Sequence, residues 1–358
     1  MPGTAAGAEY IRPLQRLTHA DEPRFGGKSA NLGELLAAEI PVPPGFAIST
    51  AAFHAFVRDA GLEGRIEGAL ARITGGDLEA IANASHAISE AMRFAPVPDV
   101  VRIEVEQHYA QIGKAAGVAS PPVAVRSSAV GEDSADATFA GQQETYLWVR
   151  GVQHVCDAVR DCWVSLFSPP AISYRARLGQ AQEPPAMGVT VQLMVDAEVS
   201  GVMFTCNPVS GDPSMVAVNA SWGLGLAVVG GEVTPDDYLV SKVTGEVVRE
   251  HVHAKQVEYV PDSSGGGAVR VEVPKERRDI ACLDQAALAQ LIEVGKRVER
   301  HFGSHQDIEW ALARNNADAL FVVQARPVTG LAKKPEKPKP ASAMSLIMSS
   351  FGAGPPKD

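Results

Sequence analysis

The sequence predicts an α+β fold in which a helical N-terminal lobe is followed by a strand-rich C-terminal lobe. Residues 29–115 carry apolar residues at helical spacing, and segments rich in Gly and Pro interrupt them. Residues 119–260 contain short runs that alternate between apolar and polar side chains, which is typical of strands. Residues 307–326 repeat this alternation on both sides of a turn and predict a hairpin. The boundary between the lobes is expected near residue 118.

Length and composition predict one domain followed by a tail. The two lobes together fill residues 1–330 of the 358-residue chain, which is long enough to bury a sizeable core. Residues 331–358 contain the Lys- and Pro-rich run KKPEKPKP and then a short apolar island, MSLIMSSF. Because a stiff, charged run cannot bury a core, we expect this segment to be an extended tail.

Charge and hydropathy exclude several classes of protein. The formal net charge is −10, which argues against a general nucleic-acid-binding protein, because such proteins rely on cationic contacts to phosphates. No apolar run is long enough to cross a bilayer, and the first residues, MPGTAAGAEYIRPLQRL, lack the pattern of a secretory signal. The four cysteines form neither a CxxC pair nor a zinc spacing, so reduced thiols are expected. We therefore expect a cytoplasmic protein that binds neither nucleic acid nor membrane.

The first candidate ligand site precedes the first long helix. In the segment FGGKSANLGE, Gly26 and Gly27 stand before Lys28, and a helix is predicted to begin near Ser29. Glycines let the backbone approach a ligand closely, and a lysine at a helix N-terminus suits a phosphate group. The spacing does not match a Walker A motif, and a plain helix start is the alternative interpretation.

A longer candidate site lies in residues 121–149, PPVAVRSSAVGEDSADATFAGQQETYLWV. A strand-like run leads to Arg126, a loop of small and acidic residues follows, and a second strand begins at Thr145. Small side chains let the backbone wrap around a ligand, and the guanidinium fork of Arg126 suits phosphate oxygens. A solvated surface loop with one ordinary arginine is the alternative interpretation.

The hairpin QDIEWALARNNADALFVVQARPV is the most informative segment. Its first strand places Asp307 and Glu309 on one face. Its second strand places Val322, Gln324 and Arg326 on one face. Hard oxygen ligands beside a cation are what Mg²⁺ bound to a polyphosphate requires. A half-exposed hairpin with a salt bridge between Asp307 and Arg326 is the alternative interpretation.

The register of this hairpin follows from its turn, RNNADA. If Leu312 pairs with Phe321, Glu309 lies directly across from Gln324, with Cβ atoms about 5 Å apart. A carboxylate and an amide oxygen would then lie side by side on the polar face.

Three further segments predict structure. The run GVTVQLMV alternates as a strand, with Val191 on one face and Gln192 on the other. Residues 284–303, DQAALAQLIEVGKRVERHFG, predict an amphipathic helix. The segment NASWGLGLAVVGGEVTPDDYLV is rich in glycine but lacks the dinucleotide fingerprint, because Val228 stands where the third glycine belongs, and turn glycines are the alternative.

Taken in order, seven segments make the chain similar to a known family. They are GGKSANLGEL, PVPPGFAIST, AVRSSAVGEDSADATFAGQQETYL, VQLMVDAEVSGVMFTCNP, GLGLAVVGGEVTPDDYLV, QDIEWAL and VVQARPVT. They resemble the N-terminal ATP-binding domain of the phosphoenolpyruvate synthase and pyruvate phosphate dikinase family, a type of domain that rifampicin phosphotransferase also carries. The resemblance covers residues 10–330 and implies an ATP-grasp-like fold whose lobes enclose ATP.

The resemblance also implies a set of contacts with Mg-ATP: cations on the phosphates, residues along the phosphate loop and at the nucleoside, and oxygen ligands on Mg²⁺. The residues that match the phosphate-binding cations are Lys28, Arg126 and Arg326. Gly141 and Thr145 match positions along the phosphate loop, and Gln192 matches the contact with the nucleoside. Glu309 and Gln324 match the oxygen ligands of Mg²⁺. All eight are predicted ATP-binding residues. The three cations are the predicted catalytic residues, because they would neutralise charge that develops during phosphoryl transfer.

Two positions depart from the family pattern. The family usually has Glu after the GLG turn, where this chain has Leu226, and this puts in doubt any polar contact there. His305 stands where the family often has Pro before QDIEW, and we expect little effect from it.

The family enzymes carry the phosphoryl group on a histidine of a mobile domain, in a TSHAA-like context, and use a further domain to bind the acceptor. None of the nine histidines of this chain has that context. The resemblance therefore implies two partners, a histidine-bearing carrier and an acceptor-binding subunit. The chain would bind Mg-ATP, pass its β,γ-phosphoryl part to the carrier histidine, and release AMP.

An ATP-binding domain on its own chain resembles the corresponding subunit of phenylphosphate synthase, a split member of the family that phosphorylates phenol, and this is the most specific expectation. The ATP-binding part of a phosphoenolpyruvate synthase or rifampicin phosphotransferase is the alternative. A nucleotide-binding regulatory subunit without chemistry is an alternative of another class. The complete set of phosphate and metal residues argues against the regulatory subunit.

Overall fold

The computed structural model describes residues 9–73, 77–130, 144–177, 185–262, 266–314 and 316–329. Within these ranges the strands are β1 (Ile11–Pro13), β2 (Gly45–Ile48), β3 (Val123–Ala129), β4 (Thr145–Val149), β5 (Met187–Leu193), β6 (Ala197–Phe204), β7 (Met215–Trp222), β8 (Asp236–Ser241), β9 (Val247–His251), β10 (Val257–Pro261), β11 (Ala268–Glu272), β12 (Gln306–Ala313) and β13 (Asn316–Pro327). The α-helices are α1 (Glu22–Phe25), α2 (Gly27–Ala37), α3 (Thr50–Asp59), α4 (Glu63–Leu70), α5 (Leu78–Phe94), α6 (Asp99–Ala116), α7 (Val152–Ser165), α8 (Pro169–Arg177), α9 (Leu226–Val229), α10 (Lys275–Arg278) and α11 (Gln285–Phe302). Gly141 and the predicted tail, residues 331–358, lie outside the described residues.

The strands form two sheets and a separate hairpin. The first sheet has five strands in the order β1–β2–β5–β3–β4, and the second has six in the order β13–β12–β6–β7–β8–β9. Paired strands run antiparallel in both sheets, and β10 and β11 form the hairpin. Helices pack against both sheets, so the predicted α+β class is confirmed.

The predicted boundary between the lobes is wrong. Strands β1 and β2 precede residue 118, yet β2 pairs with β5, which follows it. The chain passes from the first sheet to the second between Leu193 and Ala197. Residue 118 marks only the change from helices to strands along the sequence. The local pattern contains no information about this long-range pairing, which is what places helices α3–α6 in one lobe with β3–β5.

A separate hydrophobic core lies behind each sheet. In the first, Phe56 of α3 packs on Trp163 of α7, with ring centroids 5.1 Å apart, and both face the apolar side of β3 and β5. In the second, Leu291 and Val298 of α11 pack with Trp310 of β12. Burying side chains of this size contributes about 1.5–3 kcal/mol each, so each lobe has its own source of stability.

Helix α2 belongs to both lobes. Its Leu32 and Leu35 lie in the second core, and the side-chain amide of Asn31 donates a hydrogen bond to the carbonyl of Ala325 in β13 at 3.4 Å. Its N-terminal turn contacts β3 and β5 of the first sheet. The helix therefore fixes the start of the predicted phosphate-binding turn relative to both sheets.

Most predicted helices are present, with shifted ends. Helix α11 is confirmed: the Asp284 side chain accepts from the Ala287 amide at 2.8 Å, and Gly303 ends the helix with φ of 66°. Helix α2 begins at Gly27, two residues before the predicted start. Within the region predicted as helical, residues 60–62 separate α3 from α4, and α7 and α8 lie inside the segment predicted as strand-rich. Among the described residues, no helix is long and apolar enough to cross a membrane.

Candidate functional site

A cleft opens between the two sheets, on the faces that point away from their cores. In β3 and β5, Val125 and Val191 point into the first core, whereas the next residues along, Arg126 and Gln192, line the cleft. This confirms the predicted alternation of β5. Residues of β6, β12 and β13 line the opposite wall, and the segment that carries α9 closes one end.

Gly26 places the start of α2 against β3. Its φ is 81°, in the left-handed region, and an added Cβ atom would lie 2.0 Å from the carbonyl oxygen of Ser128. The close approach lets the Ser29 amide donate to Ser128 Oγ at 3.2 Å and lets Lys28 Nζ donate to the Ser127 carbonyl at 3.0 Å. The glycine turn and the buried lysine therefore lie at the end of β3, where the predicted phosphate loop begins.

Arg126 connects the two walls of the cleft. It pairs with Thr145 of β4 in the first sheet, and its side chain reaches across to the second. Nη1 donates to the carbonyl of Val323 at 3.0 Å, and Nη2 donates both to Glu309 Oε2 at 3.2 Å and to Gln324 Oε1. The side chain of Arg126 is only 12% exposed, and its buried Nε has no hydrogen-bond partner among the described residues.

The β12–β13 hairpin has the predicted pairing at its functional end. Glu309 lies across from Gln324, as expected. The assumed pairing of Leu312 with Phe321 is wrong, because an irregularity after Glu309 shifts the register by one residue. The extra residue is Val323, which has no partner opposite it, so the arrangement is a β-bulge.

The bulge changes which side chains face the cleft. Val322 is fully buried in the second core, so the prediction that it shares a face with Gln324 is wrong. Val323 lines the cleft instead, and its carbonyl accepts the hydrogen bond from Arg126. A bulge adds one residue and re-aims the strand, and no residue type in the turn or the strand signalled it.

The salt bridge that was the alternative interpretation of the hairpin is present. Arg326 Nε donates to Asp307 Oδ2 at 2.9 Å. Burial raises the pKa of the Asp307 carboxyl, and the nearby guanidinium of Arg326 opposes that rise. The side chain of Arg326 is 51% exposed, so its guanidinium remains accessible from solvent while it holds the carboxylate.

The other end of the cleft is apolar. Leu147, Val195, Leu224 and Leu226 line it, so the position where the family usually has Glu is an apolar wall here. Gln192 stands at its polar margin, is 2% exposed, and donates to a backbone carbonyl of the loop before β2 at 3.4 Å. A slot of this kind suits a flat, mostly apolar group with a polar edge.

The donor set of the polar end fits Mg²⁺ bound to phosphates. Glu309 and Gln324 both direct a side-chain oxygen at one atom, Nη2 of Arg126, so both oxygens can reach one shared cation. Mg²⁺ commonly takes one or two protein oxygens and completes its shell with phosphates and water. The described residues contain no group of three or more His, Cys, Asp or Glu side chains that could hold a metal by themselves. The two oxygens therefore suit a metal that arrives with a nucleotide.

The structure brings five of the eight predicted site residues together at the cleft and places two nearby. Arg126, Thr145, Gln192 and Glu309 line the cleft, and Gln324 is bonded to Arg126. Lys28 lies beside them at the end of β3, Arg326 lies further along β13, and Gly141 is outside the described residues.

Sequence reasoning missed two contacts. The hydroxyl groups of Ser29 and Thr190 lie 2.7 Å apart and tie α2 to β5. The polar face of β5, which holds both Thr190 and Gln192, was the available signal. The carbonyl of Val323 had no signal, because it depends on the bulge. All four cysteines are free and buried.

The chain matches the family model of the pyruvate phosphate dikinase AMP/ATP-binding domain over residues 22–345. It is 37% identical over 351 residues to a probable phosphoenolpyruvate synthase of Methanocaldococcus jannaschii. It is 38% identical over 347 residues to a probable phosphoenolpyruvate synthase of Methanothermobacter thermautotrophicus and 34% identical over 385 aligned positions to the phosphoenolpyruvate synthase of Pyrococcus furiosus.

These alignments cover 97% of this chain but only 29%, 50% and 47% of the three relatives, in the same order. The chain thus spans half or less of each relative's length. Residues 22–345 contain the residues that line the cleft, every residue of the polar end and all the strands except β1. The chain belongs to the family of pyruvate phosphate dikinase AMP/ATP-binding domains.

Proposed function

We propose that the cleft binds Mg-ATP and that the chain passes the β,γ-phosphoryl part of ATP to a histidine supplied from outside the cleft, with release of AMP. The observation that carries this proposal is the convergence of Arg126, Glu309 and Gln324 at one end of a cleft whose other end is apolar. A cation and hard oxygen ligands suit a metal polyphosphate, and an apolar slot suits a purine. The matched family, an AMP/ATP-binding domain, supports the same nucleotide.

The proposed roles are those that the family resemblance implies, and the positions of the residues support them. Lys28, Arg126 and Arg326 neutralise phosphate charge and are the proposed catalytic residues, while Glu309 and Gln324 hold the metal. Bound Mg²⁺ would supply further neutralisation of the phosphate oxygens. The remaining proposed contacts are Gly141 and Thr145 on the phosphate loop and Gln192 at the nucleoside.

The proposed transfer needs no covalent bond to this chain. The bond between Pβ and the oxygen that bridges it to Pα breaks, and that oxygen leaves with its electron pair as part of AMP. A new bond forms between Pβ and the lone pair of a neutral imidazole nitrogen. None of the nine histidines lines the cleft, although all of them lie in the described ranges. The proposal therefore assigns the histidine to a carrier partner and leaves positioning and electrostatics to this chain.

The final acceptor is a separate part of the proposal. The names of the relatives favour pyruvate. Phenol is the acceptor if the chain serves a phenylphosphate synthase, the more specific expectation from the sequence. The choice between pyruvate and phenol would be made by the binding site on the acceptor-binding partner.

An assay for AMP tests the proposed function. The chain is incubated with ATP, Mg²⁺ and a candidate histidine-bearing partner protein, with pyruvate or phenol as acceptor, and the nucleotide products are separated. We expect AMP only when the partner is present, and a loss of AMP with Glu309→Ala. ADP as the product, or many turnovers of AMP by the chain alone, would contradict the proposal. ATP binding without AMP under every condition would instead support the regulatory subunit.

A further inference from the structure

The side chain of Arg126 lies where a metal ion would have to bind. Its Nη2 atom donates hydrogen bonds to both Glu309 Oε2 and Gln324 Oε1, which belong to the two side chains that the proposed function assigns to the metal. Its Nη1 atom is fixed by the Val323 carbonyl at 3.0 Å, on the bulge between them. The guanidinium is therefore aimed at the pair of oxygens by a third contact on the same hairpin.

One pair of oxygens cannot serve both cations at once. A metal shared by Glu309 Oε2 and Gln324 Oε1 would lie between these two oxygens, where Nη2 of Arg126 lies, and two cations in that space would repel each other. The single carbonyl oxygen of Gln324 keeps a second lone pair, but the guanidinium bonded to it occupies the space beside Glu309 Oε2 that a shared metal would need. A metal that binds both side chains therefore has to displace the guanidinium.

The displaced guanidinium needs another anion. The Arg126 side chain is 12% exposed, and moving a charge from a paired, mostly buried position to one without a partner is costly. A phosphate group in the cleft would supply that partner, because the guanidinium fork matches phosphate oxygens as well as it matches a carboxylate.

We propose, resting on the proposed function, that Arg126 is a gate on the metal site: without nucleotide it occupies the oxygens of Glu309 and Gln324, and phosphate draws it away so that the metal can bind. Metal and nucleotide then bind with positive coupling. Because coupling free energies are reciprocal, each ligand raises the affinity for the other by the same factor. The gate prevents the site from filling with metal alone.

Binding of Mn²⁺ to the protein without nucleotide tests the gate. Mn²⁺ serves as the probe because electron paramagnetic resonance counts the free ion. We expect weak binding by the wild-type chain and binding at least about tenfold tighter by Arg126→Ala, a factor within the usual range of coupling between sites. The double variant Arg126→Ala/Glu309→Ala should lose the gain, because the tighter site uses the Glu309 oxygens.

Arg278→Ala is the matched control. Arg278 also donates to one backbone carbonyl, that of Val273 at 2.8 Å, and to one carboxylate, that of Glu272 at 3.1 Å, but lies away from the cleft. We expect its Mn²⁺ binding to equal that of the wild type. Arg126→Lys keeps the charge but not the fork, so it should fall between wild type and Arg126→Ala, and it also serves if the alanine variant does not fold.

Two results would overturn the gate. One is equal Mn²⁺ affinity in the wild type, Arg126→Ala and Arg126→Lys. The other is a gain in Mn²⁺ affinity that survives removal of Glu309. Binding of Mg²⁺ with a non-hydrolysable ATP analogue to the wild type, measured by calorimetry, tests the proposed function separately. If the ATP analogue does not bind, the proposed function is wrong. The Mn²⁺ measurement without nucleotide still decides whether Arg126 blocks the oxygens of Glu309 and Gln324.

Discussion

Two charged clusters of this protein differ in burial and in whether their members come from one lobe or from both. The first cluster centres on Asp236 and Lys255, whose side chains are both fully buried and paired with each other. Asp236 also accepts hydrogen bonds from the backbone amides of His253 and Cys282, at 2.9 and 2.8 Å, and Lys255 Nζ donates to the His253 carbonyl at 2.7 Å. Every one of these partners belongs to the second lobe.

The second cluster consists of Arg126, Glu309 and Gln324, and it is built across the cleft. Arg126 comes from the first sheet and its two acceptors from the second. Glu309 is 26% exposed, and Nε of Arg126 has no partner within the described residues. A buried pair that is fully hydrogen-bonded inside one lobe stabilises the fold, whereas a partly exposed pair that spans two lobes can exchange a partner for a ligand.

The largest expected effect is on stability. Asp236→Ala leaves Lys255 buried without its carboxylate, and removing one member of a buried pair costs about 3–5 kcal/mol in the free energy of unfolding. Urea denaturation measures it. The neighbouring Asp237→Ala is the control, because Asp237 pairs with Arg249 at the surface, and we expect a change of less than about 1 kcal/mol there. Similar losses in the two variants would remove the distinction between the clusters.

The next effect concerns ligand binding. Glu309→Ala and Gln324→Ala should each weaken metal-dependent binding of a non-hydrolysable ATP analogue, and the two losses should not add, because both side chains hold one ion. The interaction energy between residues that share a ligand is about 0.5–3 kcal/mol. Calorimetry on the wild type, both single variants and the double variant measures this interaction energy. Strict additivity would mean that the two oxygens do not share a metal.

A smaller effect is expected at the turn before α2. Gly26→Ala meets both an unfavourable φ and the Ser128 carbonyl, so it should destabilise the chain by more than about 1 kcal/mol and weaken nucleotide binding through Lys28. Gly61→Ala separates the two causes, because its φ is 63° but an added Cβ has nothing within 4 Å. We expect a smaller loss for Gly61→Ala and none in binding. Equal thermal shifts for the two variants would exclude the steric contribution.

The smallest effect is a pH dependence at Asp307. Burial raises the pKa of its carboxyl in the folded state, so the folded chain holds a proton that the unfolded chain has released, and this residue contributes more stability as the pH falls through the raised pKa. Asp307→Asn does not titrate. Lowering the pH from 7 to 4 should therefore stabilise the wild type relative to the variant. The unfolding free energy of the variant minus that of the wild type should decrease over this range. An increase over that range would mean that the pairing with Arg326 outweighs burial.

The sequence predicted those parts of the site that depend on nearby residues. The capped helix at residues 284–303 follows from its own periodicity, and Glu309 lies across from Gln324 as predicted, although the bulge had to offset the wrong pairing of Leu312 with Phe321 from which that prediction started. The parts that failed depend on distant contacts. The pairing of β2 with β5 moved the lobe boundary away from residue 118, and the bulge at Val323 turns Val322 into the second core. The contacts of Arg126 across the cleft could not be predicted either, because they depend on how the two sheets lie relative to each other.

A crystal structure of the chain with Mg²⁺ and a non-hydrolysable ATP analogue tests the central claim most directly. We predict a metal at about 2.0–2.1 Å from side-chain oxygens of Glu309 and Gln324, with the guanidinium of Arg126 moved from those oxygens to the phosphates. A nucleotide bound in the cleft while Arg126 still donates to Glu309 and Gln324, with the metal held elsewhere, would contradict the account.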